Sequence, residues 1–211
     1  MYLPNHFKED RLDRLHEAIR RSRLAMLVSL GQKGLIATHL PMLLDPAPAP
    51  YGRLLGHMAR GNPHWREVDQ TVEALAIFPG PEAYISPAWY PTKVETGKVV
   101  PTWNYVAIHA YGRPAFFEDP VRLKELVSRL TEHHESRRQA PWAVDDAPQD
   151  YIAGQLKAIV GFEMPIARLE GKWKLSQNRR PEDQAGAIRG LNEEGGPAEL
   201  AVAALMSEKG T

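Results

Sequence analysis

Strand-like runs that are linked by short turns constrain this chain more than any other feature. Residues 24–30 and 35–44 are two apolar runs, and the four residues between them begin and end with glycine. This pattern predicts a β-hairpin. The longest run, residues 99–117, is dominated by β-branched and aromatic side chains, which favour strands. Because hairpin-linked runs do not alternate with helices, they predict an antiparallel barrel with flanking helices and argue against a doubly wound sheet.

Further runs complete the predicted fold, which is α+β and mainly β. Pro41 is expected to restrict its strand to an edge or a bulge, and Gly80 and Gly171 are expected to end strands as turn residues. The predicted domains are residues 1–180, which carry the strands, and residues 181–211, a helical extension. The other predicted strands are residues 53–59, 72–78, 84–87 and 158–169, and the predicted helices are residues 7–22, 121–133, 149–156 and segments beyond 181.

Composition excludes several classes of function. The 211 residues include 26 Lys and Arg, 26 Asp and Glu, and no cysteine. A chain of zero net charge has no overall attraction for nucleic acid or an anionic membrane, so any phosphate site must be local. Disulfides, thiolate metal sites and cysteine nucleophiles are excluded, and the lack of cysteine fits a reducing cytoplasm. We expect a cytoplasmic protein without a signal peptide or membrane span, because no apolar run is long enough for either.

Residues 56–65, G-H-M-A-R-G-N-P-H-W, form the densest group of donors and aromatic surface. They follow a predicted strand and end in turn residues. Arg60, with Asn62 and backbone N–H groups of the loop, is suited to hold a phosphate, because a guanidinium donates in pairs to phosphate oxygens. Gly61 would let the backbone approach the ligand closely. The alternative is a hairpin loop with one solvated arginine, and this segment alone does not decide between the two.

Three more segments combine polar donors with aromatic rings or cations. They are Y-I-S-P-A-W-Y at residues 84–90, P-T-W-N-Y at 101–105 and K-L-S-Q-N-R at 174–179. A ligand with a flat aromatic body and an anionic tail needs such a set, because rings pack on the flat body while amides and hydroxyls bond its polar edge. The segments therefore predict a flat anionic cofactor without specifying which one.

A metal site is not expected from the histidines. His57 and His64 are seven residues apart without an acidic partner at ligand spacing, and His133 and His134 are adjacent on a predicted helix. Adjacent helical side chains diverge and do not converge on one ion. Hydrolase chemistry is not indicated either, because no nucleophile-elbow motif is present.

The four segments, together with the M-Y-x-P-x-H-F start and the A-T-H-L-P segment, closely resemble the PaiB-type family of FMN-binding negative transcriptional regulators. The resemblance covers Met1 to about Arg180. It implies a split β-barrel and a homodimer with FMN at the subunit interface. This implied fold agrees with the strand pattern.

The resemblance also implies which residues contact FMN. Arg60 and Asn62 are expected to hold the phosphate. Ser86 is expected to make a polar contact near the flavin. The strand segment expected beside the ring and ribityl chain comprises Thr102, Trp103 and Asn104. A wall of the site, supplied late in the chain by the same or the other subunit, is expected to comprise Lys174, Ser176, Gln177 and Asn178. No catalytic residue is identified.

Three functions remain open from the sequence. The first is a flavin-binding regulator, although direct DNA binding is disfavoured because there is no helix-turn-helix pair, basic stripe or net positive charge. The second is a flavin-dependent oxidoreductase that uses a nicotinamide donor, since a bound flavin carries redox chemistry itself. The third is a structural dimer without cofactor, against which the intact Arg60 and Asn62 argue.

Overall fold

The computed structural model describes residues 1–48 and 50–208. Residues 209–211 of the predicted C-terminal extension therefore lie outside the described residues. Within the described part there are ten strands and seven α-helices. No helix in residues 1–48 or 50–208 is long and apolar enough to cross a membrane.

The strands account for most of the regular structure before residue 175. They are β1 Lys8–Glu9, β2 Ala25–Gly31, β3 Gly34–Leu40, β4 Met42–Asp45, β5 Arg53–Ala59, β6 Ala74–Ile85, β7 Thr102–Gly112, β8 Ala115–Phe117, β9 Ile159–Pro165 and β10 Arg168–Lys174.

The helices are short except for one in the middle of the chain and two at its end. They are α1 Leu12–Arg21, α2 His64–Glu67, α3 Thr92–Thr96, α4 Pro120–Glu135, α5 Gln149–Leu156, α6 Pro181–Glu194 and α7 Pro197–Glu208.

The chain divides into two compact units that are not continuous in sequence. The first unit comprises Met1–Leu15, Pro79–Ile108 and the described residues from Glu170 onward, and the second comprises His16–Phe78 and His109–Leu169. The predicted boundary at residue 180 stays a prediction, and α6 and α7 belong to the first unit.

The second unit is built on antiparallel pairs. β2 and β3 form the predicted hairpin, in register from Ala25 opposite Leu40 to Gly31 opposite Gly34, and β2 also pairs with the start of β6. A separate four-stranded sheet has the order β4-β5-β9-β8. Leu43 and Leu55 of this sheet pack with Leu126 and Leu130 of α4, and burial of these side chains stabilises the contact.

The first unit carries the strand order β1-β10-β7-β6. β1 pairs antiparallel with β10, so that Glu9 lies opposite Gly171. The helical hairpin of α6 and α7 belongs to the same unit, and α6 places Gly186 and Gly190 directly against Trp89. A Cβ atom at either glycine would collide with Trp89, so the close approach requires glycine.

The predicted fold class, α+β and mainly β, is confirmed, although the described strands form two sheets and no closed barrel. The described residues form antiparallel sheets with flanking helices, and β5 and α5 have the predicted bounds. Pro41 lies between β3 and β4, where it interrupts the predicted long strand. Proline cannot donate to a ladder, which explains the break.

Two glycines predicted as turns lie inside strands, so those predictions were wrong. Gly80 is within β6, and a Cβ there would lie 2.7 Å from a side-chain atom of Val106. Gly171 is within β10, where a Cβ would collide with the side chain of Leu15. Both glycines permit a close approach of another element rather than a change of chain direction.

Helix predictions also needed correction at two places. The first helix begins at Leu12 and not at Phe7, because Asn5–Phe7 forms a 3₁₀ turn and Lys8–Glu9 pairs with β10. The predicted helices did not include α3, which ends at Gly97 in the left-handed conformation. Glycine at that position is a common helix end.

Candidate functional site

Arg60 follows the last residue of β5 and is held by its own unit. Its Nε donates to the carbonyl of Lys157 over 2.6 Å, one terminal nitrogen donates to the carbonyl of Ile159 over 3.3 Å, and the other forms an ion pair with Glu118. The side chain remains 36% exposed. Since a guanidinium carries more N–H donors than these three bonds use, the anchored side chain keeps donors for an anion.

Asn62 is the centre of a hydrogen-bonded network in the loop after β5. Its Nδ2 donates to Thr38 Oγ1 over 3.1 Å, and its Oδ1 accepts from the backbone N–H of His64 over 3.0 Å. Thr38 Oγ1 also lies 2.7 Å from His64 Nδ1. The Asn62 amide therefore orders the loop, and one N–H remains for a ligand.

His64 is a buried, neutral member of this network. Its side chain is fully buried, and burial lowers its pKa from the ordinary value of 6.5. Among the described residues, neither its Nε2 nor the buried hydroxyl of Ser29 has a hydrogen-bond partner. A fully buried imidazole is not placed to exchange protons with a bound substrate.

Trp65 closes the loop that carries Arg60. Its Nε1 donates to the Arg60 carbonyl over 3.1 Å, and the Arg66 guanidinium lies 4.4 Å from the centre of its ring. The indole thus fixes the backbone at Arg60, which is a positioning role that the sequence did not distinguish from stacking on a ligand.

In the first unit, Lys174 joins β10 to β7. Its Nζ donates to Thr102 Oγ1 over 2.6 Å and to the carbonyl of Trp103. These three predicted site residues therefore lie together. The ammonium has one N–H beyond these two bonds.

Trp103, whose carbonyl accepts from this lysine, presents an exposed aromatic surface. Its side chain is 54% exposed and that of Tyr84 is 44% exposed. Their ring centres are 6.0 Å apart at an interplanar angle of 72°, an edge-to-face arrangement that is favourable for aromatic pairs. Tyr84 belongs to the predicted Y-I-S-P-A-W-Y segment, although its side chain was not singled out as a contact.

Asn104 and Ser176 lie together in the interior of the first unit. Asn104 is 0% exposed, and its Nδ2 lies 3.0 Å from Ser176 Oγ and 3.4 Å from Met206 Sδ. Ser176 has a positive φ of 62°, which is uncommon for a residue other than glycine. The two side chains bond each other, and Asn104 also contacts α7.

The remaining predicted site residues bond locally or lie at the surface. Gln177 accepts from the Leu175 N–H over 2.7 Å and donates to the Trp173 carbonyl over 2.5 Å. Ser86 accepts from the Ala88 N–H over 3.1 Å and so caps a short 3₁₀ turn. Asn178 is exposed, and its side chain is available to a ligand.

Positive charge gathers in the first unit. The pKa of Lys174 is lowered from 10.5 by burial and by the charges of Lys172 and Arg179. Lys174 was a predicted site residue, whereas Lys172 and Arg179 were not, although Arg179 ends the K-L-S-Q-N-R segment. Their signal was present in the sequence as three cations within eight residues, 172–179, without a carboxylate between them.

The predicted site residues thus form two groups. Arg60 and Asn62 lie in the second unit, whereas Ser86 and the residues of the P-T-W-N-Y and K-L-S-Q-N-R segments lie in the first. Two open cavities of about 410 and 440 Å³ next to α4 contain none of these residues. In the part of the chain that the structure describes, no three His, Asp or Glu side chains converge as a metal site.

The fold is shared with solved flavin-binding proteins. The FAD and haem binding protein from Mycobacterium smegmatis superposes with a TM-score of 0.58 at 12% identity, covering 90% of this chain and 80% of that one. A flavocytochrome from Azotobacter vinelandii superposes with a TM-score of 0.57 at 11% identity, covering 85% and 75%. At such identities the likeness establishes the fold alone.

Sequence comparison establishes the family. The chain belongs to the family described as "Putative FMN-binding domain", which matches residues 1–168. It is 34% identical over 209 residues to the protease synthase and sporulation protein PAI 2 of Bacillus subtilis, covering 99% of this chain and 98% of that protein. The predicted PaiB-type kinship and the predicted cofactor of the family, FMN, are confirmed.

The donor set of this chain fits FMN. Arg60 has guanidinium donors left over for a phosphate, and Trp103 with Tyr84 offers exposed aromatic surface for a flat ring. Lys174 and Thr102 supply bonded polar groups on the strand segment that carries Trp103. Cations suit the phosphate, and rings with polar groups at their edge suit the isoalloxazine.

Proposed function

We propose that this protein is an FMN-dependent regulator whose flavin contacts lie among the predicted site residues. The observation that carries the proposal is the exposed Trp103 ring next in sequence to Thr102, whose hydroxyl accepts from the Lys174 ammonium, since this segment combines stacking area with donors. Family membership supports FMN as the ligand.

Arg60 is the proposed phosphate contact. Its bonds to the Lys157 and Ile159 carbonyls and to Glu118 fix the guanidinium plane before a ligand arrives. A preorganised donor loses less rotamer entropy on binding than a free side chain. Asn62 supports it by holding the loop and by its one remaining amide N–H.

In the first unit, the proposed roles divide into contact and positioning. Thr102, Trp103, Lys174 and the exposed Asn178 are the proposed flavin contacts. The proposed positioning residues hold the segments that carry those contacts, because their side chains already bond within the protein. They are Ser86, Asn104, Ser176 and Gln177.

The proposed assembly is a homodimer with FMN at the subunit interface. Support comes from exposed apolar side chains of the first unit, of which Trp103 and Tyr84 are two and Val100 a third. Such surface commonly marks a binding site for a partner or ligand. Sedimentation velocity of the protein with and without FMN tests this assembly, and a monomer in both samples contradicts it.

When bound, FMN supplies electron and hydride transfer, and the protein holds and orients it. The regulatory role follows the PaiB-type kinship, and it does not require direct contact with DNA, which a net charge of zero disfavours. A cytoplasmic location and the alternative activity as a nicotinamide-dependent reductase stay predictions.

Comparison of FMN with riboflavin tests the proposed phosphate contact. Riboflavin has the same ring and ribityl chain but no phosphate. Titration of flavin fluorescence should show that Arg60→Met weakens FMN binding at least ~10-fold, which corresponds to about 1.4 kcal/mol, and leaves riboflavin binding unchanged. Arg23→Met, which removes an exposed arginine of the same unit, is the matched control.

Two results contradict the proposal. If the unaltered protein binds neither flavin, the FMN function is wrong. If it binds FMN and Arg60→Met binds FMN equally well, FMN binding stands but the assignment of Arg60 to the phosphate is wrong.

A further inference from the structure

Three cations gather where β10 ends and the following turn begins. Lys172 is buried and donates from Nζ to the Tyr2 carbonyl over 3.0 Å. Lys174 donates to Thr102 Oγ1 over 2.6 Å. The Arg179 guanidinium lies 5.1 Å from the ring centre of Tyr90.

These three cations are held without carboxylate partners. Across residues 1–48 and 50–208, no salt bridge includes Lys172, Lys174 or Arg179. The adjacent Arg180, by contrast, pairs with Glu95 at 3.3 Å. Within that described part of the chain, the three charges contact neutral carbonyls, a hydroxyl and aromatic rings instead.

This arrangement disfavours the charged form of Lys174. Burial lowers its pKa first, and the charges of Lys172 and Arg179 lower it further. Like charges near a partly desolvated ammonium are unfavourable unless an anion compensates them. A ligand with negative charge would relieve the repulsion and use the remaining N–H of Lys174.

We propose that Lys174 and Arg179, together with Lys172, form an anion subsite that takes a negatively charged part of FMN and is separate from the Arg60 contact. The inference rests on the proposed FMN function. FMN offers negative charge in two places, which are its phosphate in every state and its ring after reduction. The reduction consumes two electrons and one proton, FMN + 2e⁻ + H⁺ → FMNH⁻, and dithionite supplies the electrons in the test below.

The subsite differs from the structural roles that its members also have. Lys174 and Lys172 donate hydrogen bonds from β10 to neighbouring segments, and this structural role alone would explain two basic residues. The same role would not explain a third cation, Arg179. Its guanidinium lies near a tyrosine ring and, among the described residues, forms no ion pair. Placing three unneutralised charges together is costly for a purely structural purpose.

The experiment measures dissociation constants for oxidised FMN, oxidised riboflavin and dithionite-reduced FMN. The variants are Lys174→Met, Arg179→Met and the charge-preserving Lys174→Arg, and thermal melts establish that each is folded. Lys98→Met, which removes an exposed lysine of the same unit, is the matched control. Arg179→Met serves as the second probe if loss of the Lys174 bonds to β7 prevents folding.

A loss of at least ~10-fold in Lys174→Met and Arg179→Met, with recovery in Lys174→Arg, supports the subsite. Loss for both forms of FMN but not for riboflavin assigns the anion as the phosphate. Loss confined to reduced FMN assigns it as the reduced ring.

The inference is overturned if all three ligands lose affinity equally, because oxidised riboflavin carries no negative charge. It is also overturned if neither variant changes any dissociation constant. Absence of flavin binding by the unaltered protein would instead contradict the proposed FMN function, so the two failures are distinguishable.

Discussion

Asn104 and Ser176 form a reciprocal hydrogen-bonded pair in the interior of the first unit. Asn104 Nδ2 donates to Ser176 Oγ over 3.0 Å, and Ser176 Oγ donates to Asn104 Oδ1 over 3.2 Å. The pair joins β7, which carries Thr102 and Trp103, to the turn that follows Lys174. Because Ser176 has a positive φ of 62°, these bonds help to hold a turn conformation that serine rarely adopts.

Replacement of Asn104 by alanine should therefore destabilise the protein. The change leaves the Ser176 hydroxyl without its buried partner, which costs about 1–3 kcal/mol. Urea unfolding measures the loss as a lower midpoint at unchanged slope. Asn178→Ala, at an exposed position in the same turn region, is the control and should change stability by less than about 0.5 kcal/mol.

The contact between Trp89 and α6 gives a second prediction. A Cβ at Gly190 would collide with the Trp89 indole, so Gly190→Ala should destabilise by about 1–3 kcal/mol through overpacking. A Cβ at Gly154 in α5 would meet nothing within 4 Å, and alanine there should stabilise by roughly 0.4–1 kcal/mol. Thermal unfolding of the two variants should thus shift in opposite directions, and equal shifts would contradict the proposed packing.

Thr92 and Asp183 give a third prediction. The buried Asp183 carboxylate accepts from Thr92 Oγ1 at 2.9 and 2.8 Å and from the Thr92 N–H at 3.2 Å, which ties α3 to α6. Thr92→Val keeps the shape but removes the hydroxyl donor, and it should cost about 1.5–3 kcal/mol because the acceptor is charged. Thr71→Val removes an exposed hydroxyl bonded to Asp69 and should have little effect on the urea midpoint.

The sequence was sufficient to predict the elements whose signals are local. Pro41 interrupts a ladder because it lacks an N–H. The predicted β2–β3 hairpin forms, and Gly31 and Gly34 pair at the strand ends next to its turn. The strand Arg53–Ala59 and the helix Gln149–Leu156 likewise follow directly from residue patterns. The motif segments led to the family because their order along the chain is specific.

Features that depend on residues distant in sequence could not be predicted from local patterns. Gly80 and Gly171 have the composition of turns, but each accommodates a side chain that is far away in sequence, Val106 or Leu15. The bonds of Asn104 to Ser176 could not be inferred either, because 72 residues separate them. Spacing along the chain marked Asn104 as a polar group and gave no sign that it would be fully buried.

The half-buried His57 and the fully buried His64 give the final prediction, a loss of stability in mild acid. Burial lowers the pKa of both His64 and His57 from 6.5. Below pH 6.5 the unfolded chain binds protons that the folded chain does not, so the free energy of unfolding should fall as pH decreases toward the folded-state pKa values. Glu9 affects stability only at lower pH, because the hydrogen bond from Arg11 lowers the pKa of Glu9 from 4.5 to about 2. Its contribution to the free energy of unfolding is present above pH 4.5 and is lost as the pH falls toward 2.

Urea unfolding between about pH 5 and pH 7.5 isolates the histidine contribution from that of Glu9. The unaltered protein should lose stability steadily below pH 6.5. His64→Gln should reduce this pH dependence while lowering stability at neutral pH by about 1–3 kcal/mol, since Thr38 loses its imidazole partner. His133→Gln, at an exposed position of α4, should preserve the full pH dependence. A His64→Gln slope equal to that of the unaltered protein would mean that His64 is protonated as readily in the folded state as in the unfolded one, contrary to its burial.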